Sequence, residues 1–299
     1  MRPKITLLGV PTSAGAFAPG QELAPRELRR AGLLDKLREA GAEVNDLGDS
    51  EVWRWRPDRT RPDAQNLDAV RDIARATADR VERALAEPGR RLLVLGGDCT
   101  VEIGTVAGHL RRHPSVGLVY FDVHPDLNTP ENVRPGALDW MGMAHMLGEP
   151  GAAPELAGLG PRTPMLGDDQ VLFLAYGPQQ ATSFEREVLE RRDPARIAVD
   201  EVRSDPEGTA TRVVEEFAPR FDRLLVHFDV DTIDFTDAPL SENTGRNEGL
   251  ALQVALRALA VLASAENLSA LTVTELNPLH GDEERRTLGR FAGGLARCL

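Results

Sequence analysis

The sequence predicts an α/β fold, a mostly parallel sheet with helices on both faces. Two observations carry this reading. Short, nearly continuous apolar runs recur from one end of the chain to the other, and amphipathic stretches with helical spacing lie between them. Pro and Gly gather at 129–136 and 148–167. Both stretches read as long loops, which in a compact α/β protein are often functional. No internal repeat or low-complexity linker divides the chain, so one domain over residues 1–299 is expected.

The candidate strands are 4–10, 91–96, 116–121, 171–176, 196–199, 223–228 and 268–274, with a weaker one at 43–47. Helical patterns are clearest at 66–86, 209–217 and 250–263. The arginines of ELRRAGLLDKLREA (27–40) read as a solvated helix face. His109 and His113 read as helix-surface residues, Trp53 and Trp55 as packing, and Cys298 as inert at a frayed terminus.

Composition excludes several function classes. Hydrophobic residues make up 41% of the 299 and charged residues 27%, which argues against extended disorder. No apolar run approaches the roughly 18–20 residues that span a bilayer, and ITLLGV after Met1-Arg2-Pro3-Lys4 is too short for a signal-peptide core. Thirty-five Lys and Arg against 47 Asp and Glu give a net charge of −12, a poor match for nucleic acid. The acidic surplus suits a metal site or a cationic ligand, and serves solubility equally well. Two cysteines exclude a disulfide framework and fit a reducing cytoplasm.

Four candidate strands run into residues that carry chemistry: Asp98-Cys99, Asp122-Val123-His124-Pro125-Asp126, Asp229-Val230-Asp231 and Glu275. Ligands of open parallel sheets bind outside the carboxyl ends of the strands. In extended backbone, residues two apart face the same way. Asp122, His124 and Asp126 therefore share one direction, and so do Asp229 and Asp231. Each motif alone has an ordinary explanation as a turn, a capped helix or a strand-end charge. Together, each after an apolar strand, they point to metal. Clustered carboxylates repel unless cations or protons intervene. Carboxylates with imidazole suit Mn, Co, Fe or Zn rather than an all-oxygen site. A pair of such ions lowers the pKa of a shared water toward 7.

The ordered set GGDC (96–99), DVHPDLN (122–128), DVDTID (229–234) and TELNP (274–278) resembles the ureohydrolase superfamily, the arginase and agmatinase group. Gly20 and the stretch Ala24-Pro25-Arg26-Glu27-Leu28-Arg29 resemble its leader segment. The resemblance implies a three-layer α/β/α fold around an eight-stranded parallel sheet, a binuclear manganese site and a homo-trimer or homo-hexamer. It implies that Asp122 and Asp229 bridge both ions, that Cys99 and Asp126 complete one site, and that His124 and Asp231 complete the other. Glu275 would pair with a substrate guanidinium, Asp126 would move a proton to the leaving amine, and Asn128 would bind a substrate carboxylate. The implied activity is hydrolysis of a linear C–N bond in a guanidino substrate.

The sequence also departs from that pattern. Cys99 stands where the family has histidine. Four carboxylates and a thiolate against two divalent ions leave one negative charge, and the softer donor favours Zn, Fe or Co at that ion. The exchange resembles the branch that hydrolyses N-hydroxyarginine to hydroxyurea and ornithine. The family's proton-moving histidine is missing after Asn128; Asp139 or His145 is a substitute. Arg134 is a candidate carboxylate clamp. The acids that read an α-amino group are missing too, and Glu185 is the nearest one. The other readings are a non-catalytic metal-binding descendant of the fold and a single-zinc deacylase.

Overall fold

In the computed structural model, which describes residues 2–134, 136–282 and 285–299, all eight apolar runs are strands. They are β1 Lys4–Gly9, β2 Glu43–Asp49, β3 Arg91–Leu95, β4 Val116–Phe121, β5 Val171–Tyr176, β6 Ala195–Ala198, β7 Arg223–Asp229 and β8 Leu268–Thr274. They form one sheet in the order β2-β1-β3-β8-β7-β4-β5-β6, parallel throughout. Met1, and Pro135 within the loop read at 129–136, lie outside the described residues.

Parallel strands need crossovers, and helices supply them. The helices are α1 Ala24–Arg30, α2 Leu33–Glu39, α3 Leu67–Ala84, α4 Val101–Leu110, α5 Gly142–Met146, α6 Pro154–Ala157, α7 Ser183–Arg192, α8 Val199–Ser204, α9 Pro206–Arg212, α10 Leu252–Leu262 and α11 Arg286–Cys298. Side chains alternate across each strand and so feed two cores. Along β4, Leu118 and Tyr120 enter the core shared with α3 to α7. Val119 and Phe121 enter the one shared with α1, α2 and α8 to α11. The result is the expected three layers. Among the described residues no helix is long and apolar enough to cross a membrane.

Several local expectations are corrected. The pattern at 27–40 is two helices, because Gly32 takes the left-handed conformation (φ 80°) that ends α1. His109 is not on a helix surface. Every residue of α4 is buried, and the ring's Nδ1 and Nε2 meet Thr105 O at 2.8 Å and Ser269 Oγ at 3.1 Å. His113 is half-buried, and Trp53 is 40% exposed rather than packed. The terminus is not frayed: α11 packs through Phe291 and Leu295, and the Cys298 thiol donates to Gly294 O and Leu256 O. Burial pushes that thiol up to about 11, so it is unreactive for a different reason. The stretch 148–167 holds α6 and buries Met165 and Leu166, so it packs instead of looping freely.

Burial holds the imidazoles of His109 and His145 down at about 4. An unfolded histidine titrates near 6.5. Between these values the unfolded chain binds more protons than the folded one, so stability rises with pH. The contribution is complete above about 6.5 and lost as pH falls toward 4, about 3 kcal/mol per ring. Melting midpoints are expected to fall between pH 7 and pH 4.5, and His109→Gln to flatten that slope. An unchanged slope in the variant contradicts the assignment.

Candidate metal centre and active site

The strands β3, β8, β7 and β4 are consecutive neighbours in the sheet, so the four chemically marked strand ends meet. Their register keeps them level: Leu95 lies opposite Val273, Thr274 opposite Asp229, and Phe228 opposite Phe121. After β3 the chain must pass the backbone of Thr12. A Cβ on Gly97 would come 1.6 Å from the Thr12 carbonyl oxygen, so glycine is required there. Asp98 is wholly buried. Its carboxylate accepts from the amides of Gly15 at 3.0 Å and Thr100 at 3.1 Å, which fixes the loop that presents Cys99. After β4 and β7 the turns are tied by the acids themselves. Asp122 Oδ1 accepts from the His124 amide at 2.8 Å, and Asp229 Oδ1 from the Asp231 amide at 2.6 Å.

Two groups of donor atoms result, each within 4.8 Å mutual reach. One holds Cys99, Asp122, His227 and Asp229; the other holds Asp122, His124 and Asp231. Asp122 is common to both. The Cys99 thiol donates to Asp229 Oδ2 at 2.8 Å, and His124 Nδ1 lies 3.1 Å from Asp231 Oδ2 and 3.4 Å from Asp122 Oδ1. Asp229 belongs to one group only. Asp126 belongs to neither, and its Oδ2 accepts a hydrogen bond from the Tyr120 hydroxyl. His227 stands in the first group, and the sequence reading did not name it. The available signal was a histidine inside an apolar strand, two residues before Asp229 and so on the same face.

The electrostatics follow from packing acids together out of water. Burial and then Asp231 push Asp122 up to about 6. Burial, then neighbouring carboxylates, hold Asp126, Asp229 and Glu275 well above the usual range. Burial and Asp229 raise the Cys99 thiol. Burial opposes ionisation of Asp231, yet the His124 ring holds it below the usual value, and burial of His124 is outweighed by Asp231, which raises that imidazole. Asp122 Oδ2 and Asp231 Oδ1 are buried without a hydrogen-bond partner among the described residues. Buried acceptors, mutual repulsion and a thiol fit divalent cations, which relieve all three.

Of these donors Cys99, Asp122, His124, Asp229 and Asp231 line a cavity of about 610 Å³, and His227 lies behind them. Asp126, Asn128, Asp139, Glu275 and Arg134 line it as well. Glu275 accepts from the Cys99 amide at 2.8 Å and from Gln21 Nε2 at 3.1 Å. Both Asp126 (φ 50°) and Glu275 (φ 57°) hold left-handed backbone, a strain that persists where the surroundings dictate it and that clusters at functional sites. Asp139 is buried, and burial and then Glu275 raise its pKa well above the carboxylate range. Arg134 is exposed at the rim. Asn128 Oδ1 accepts from Thr182 Oγ1 at 2.9 Å. Glu185 reaches the wall, yet its two oxygens accept the amides of Leu127 and Thr182, at 3.0 and 2.8 Å. His145 does not line the cavity. It is sealed inside α5, its Nδ1 bonded to Met141 O at 2.5 Å. The wall also carries Phe17, Trp140, Gln180, Glu242, Asn243 and Thr244, which had no sequence signal of their own.

The chain belongs to the arginase family, whose profile, described as Arginase family, matches residues 3–298. That family consists of hydrolases acting on C–N bonds in linear amidines, and this chain is one of them. It is similar to the arginase of Bacillus caldovelox, 29% identical over 293 residues that cover 96% of this chain and 94% of that one. It is also similar to Arginase-1 of Homo sapiens, 30% identical over 304 residues covering 98% and 92%. The native structure of the Bacillus caldovelox arginase at pH 5.6 superposes with a TM-score of 0.83 at 26% identity, covering 100% of this chain and 98% of that one.

Proposed function

We propose that the chain is a single-domain amidinohydrolase. It cleaves the linear C–N bond of a small arginine-like or N-hydroxyarginine-like substrate and releases urea or hydroxyurea with an amine. The observation that carries this reading is the pair of donor groups sharing Asp122, with Glu275 facing the same cavity. Cys99, Asp122, Asp126, Asp229, His124 and Asp231 would hold two divalent ions. Manganese is the first choice, with Zn, Fe or Co favoured by the softer Cys99. Such ions, when bound, supply Lewis acidity and lower the pKa of a water toward neutrality.

The chain's own residues do the rest. The Glu275 carboxylate, held by the Cys99 amide and the Gln21 side chain, pairs with the substrate's cationic head and orients its carbon. Water adds to that carbon, the bond to the side-chain nitrogen breaks, and Asp126 carries the water's proton to the leaving amine. Asp139 stands in for the missing histidine as a buried acid beside Glu275. Asn128 and Arg134 bind the substrate's far end. Glu185, whose oxygens each accept one backbone amide, lines the same cavity and is the nearest acid for a substrate α-amino group. The N-hydroxyarginine-like substrate is supported by Cys99, whose extra negative charge alters the balance at the reacting centre. The homo-trimer or homo-hexamer and the cytoplasmic location belong to the same reading.

The test is a guanidino panel, including arginine and N-hydroxyarginine, with Mn, Co, Zn or Fe supplied. Release of urea or hydroxyurea is expected. Silence across the panel from protein with bound metal overturns the proposal.

A further inference from the structure

His227 is a buried polar side chain that the proposed reaction leaves without a task. It sits on β7 with no exposed surface, its ring flat on Tyr120 with centroids 4.2 Å apart and planes 2° from parallel. Nε2 lies 3.5 Å from Cys99 Sγ and 3.3 Å from Thr274 Oγ1. Nδ1 lies 3.6 Å from Oε2 of Glu102, which is itself wholly buried in the first turn of α4. Nδ1 and both Glu102 oxygens have no hydrogen-bond partner among the described residues. A phenylalanine and a leucine would fill this space without stranding polar atoms, and buried polar groups are costly when unpaired. The arrangement is a carboxylate, an imidazole and a sulfur in sequence, on backbone fixed by a central strand and a buried helix.

We propose that His227, backed by Glu102, is the positioning residue of Cys99: with one proton held between Glu102 Oε2 and Nδ1, its Nε2–H donates to the sulfur when that sulfur holds a metal ion. The proposal rests on the reading of Cys99 as a ligand. Hydrogen bonds to ionised acceptors are about twice as strong as neutral ones. Groups that orient metal ligands typically account for 10-fold to 100-fold of metal affinity. Here a donor on the sulfur also draws charge from a site whose anionic ligands exceed two divalent ions by one. Glu102 faces the opposite nitrogen and so keeps the imidazole from turning its other edge to the sulfur. The stack on Tyr120, whose hydroxyl donates to Asp126, ties the same ring to a second site residue.

The experiment uses full-length protein loaded with Co(II). His227→Phe keeps a ring on Tyr120 and removes both nitrogens, whereas His227→Gln keeps an N–H directed at the sulfur. The wild type is expected to show a thiolate-to-cobalt charge-transfer band. In His227→Phe the band moves to longer wavelength and Co(II) affinity falls about 10-fold to 100-fold, and His227→Gln restores most of both. Should the Phe protein not fold, His227→Asn, too short to reach the sulfur, gives the same shift. A band unmoved in the folded Phe or Asn variant overturns the proposal. So does a change in the d–d bands that marks a lost ligand, since His227 would then bind the metal itself. A wild type with no charge-transfer band overturns the reading of Cys99 as a ligand, and this proposal with it.

Discussion

Asp229→Asn is expected to remove bound metal and lower turnover by roughly a thousandfold or more, while the metal-free protein melts at or above the temperature of its parent. The two effects have opposite signs for one reason. Asp229 lies at the end of β7, buried, with Oδ2 2.8 Å from the Cys99 sulfur and Oδ1 on the Asp231 amide. Burial, then Asp231 and Asp122, raise its pKa well above the usual range. A carboxylate so raised costs stability where it is ionised, and stability falls as pH rises from its unfolded value toward its folded one. Asparagine keeps the shape and an acceptor for the Asp231 amide and removes the repelling charge. It also removes the charge that holds a cation, and with it the acidified water worth several kcal/mol to hydrolysis. Elemental analysis, steady-state rates and a melt of the chelated protein check all three. A variant that keeps full metal content and rate contradicts the assignment of Asp229.

Glu275→Gln is expected to leave the metal content intact and lower kcat/KM roughly 30-fold to 5,000-fold. That is the rate equivalent of the about 2–5 kcal/mol lost when one partner of a buried charge pair is removed. The carboxylate is placed by two donors, the Cys99 amide and Gln21 Nε2. A glutamine must turn its own N–H₂ toward one of them and loses the charge that meets a guanidinium. Steady-state kinetics on the best substrate of the panel, with metal counted on the same sample, gives the answer. A kcat/KM within threefold of wild type removes Glu275 from the mechanism.

The central strands were legible because burial on both faces makes them continuous apolar runs. β2 and β6 gave weak or shifted signals because they are the sheet's edges, where most of their residues are partly exposed. Cys99, Asp122, Asp229 and Glu275 were legible because each follows such a run, and the strand order brings those runs side by side. Asp126 was expected at the site from its spacing; it lines the cavity but stands outside the two donor groups, with left-handed backbone and the Tyr120 hydroxyl on its carboxylate. His227 was hidden because a single histidine in an apolar strand resembles a buried filler until Glu102 and Cys99 are seen on either side. His145 looked near in sequence, yet its ring is wholly buried with Nδ1 on Met141 O and does not line the cavity. The aromatic and polar wall comes from four separate chain segments, at Phe17, Trp140, Gln180 and 242–244, which no local spacing relates.

The most direct test of the account counts metal. Protein is incubated with Mn, Co, Zn or Fe, desalted, and assayed by elemental analysis against chain concentration. Two divalent ions per chain are expected with at least one of these metals. No more than one with any of them would mean that the Cys99 thiol after β3 and the acids after β4 and β7 do not hold a cation pair, and the proposed hydrolysis would lose its foundation.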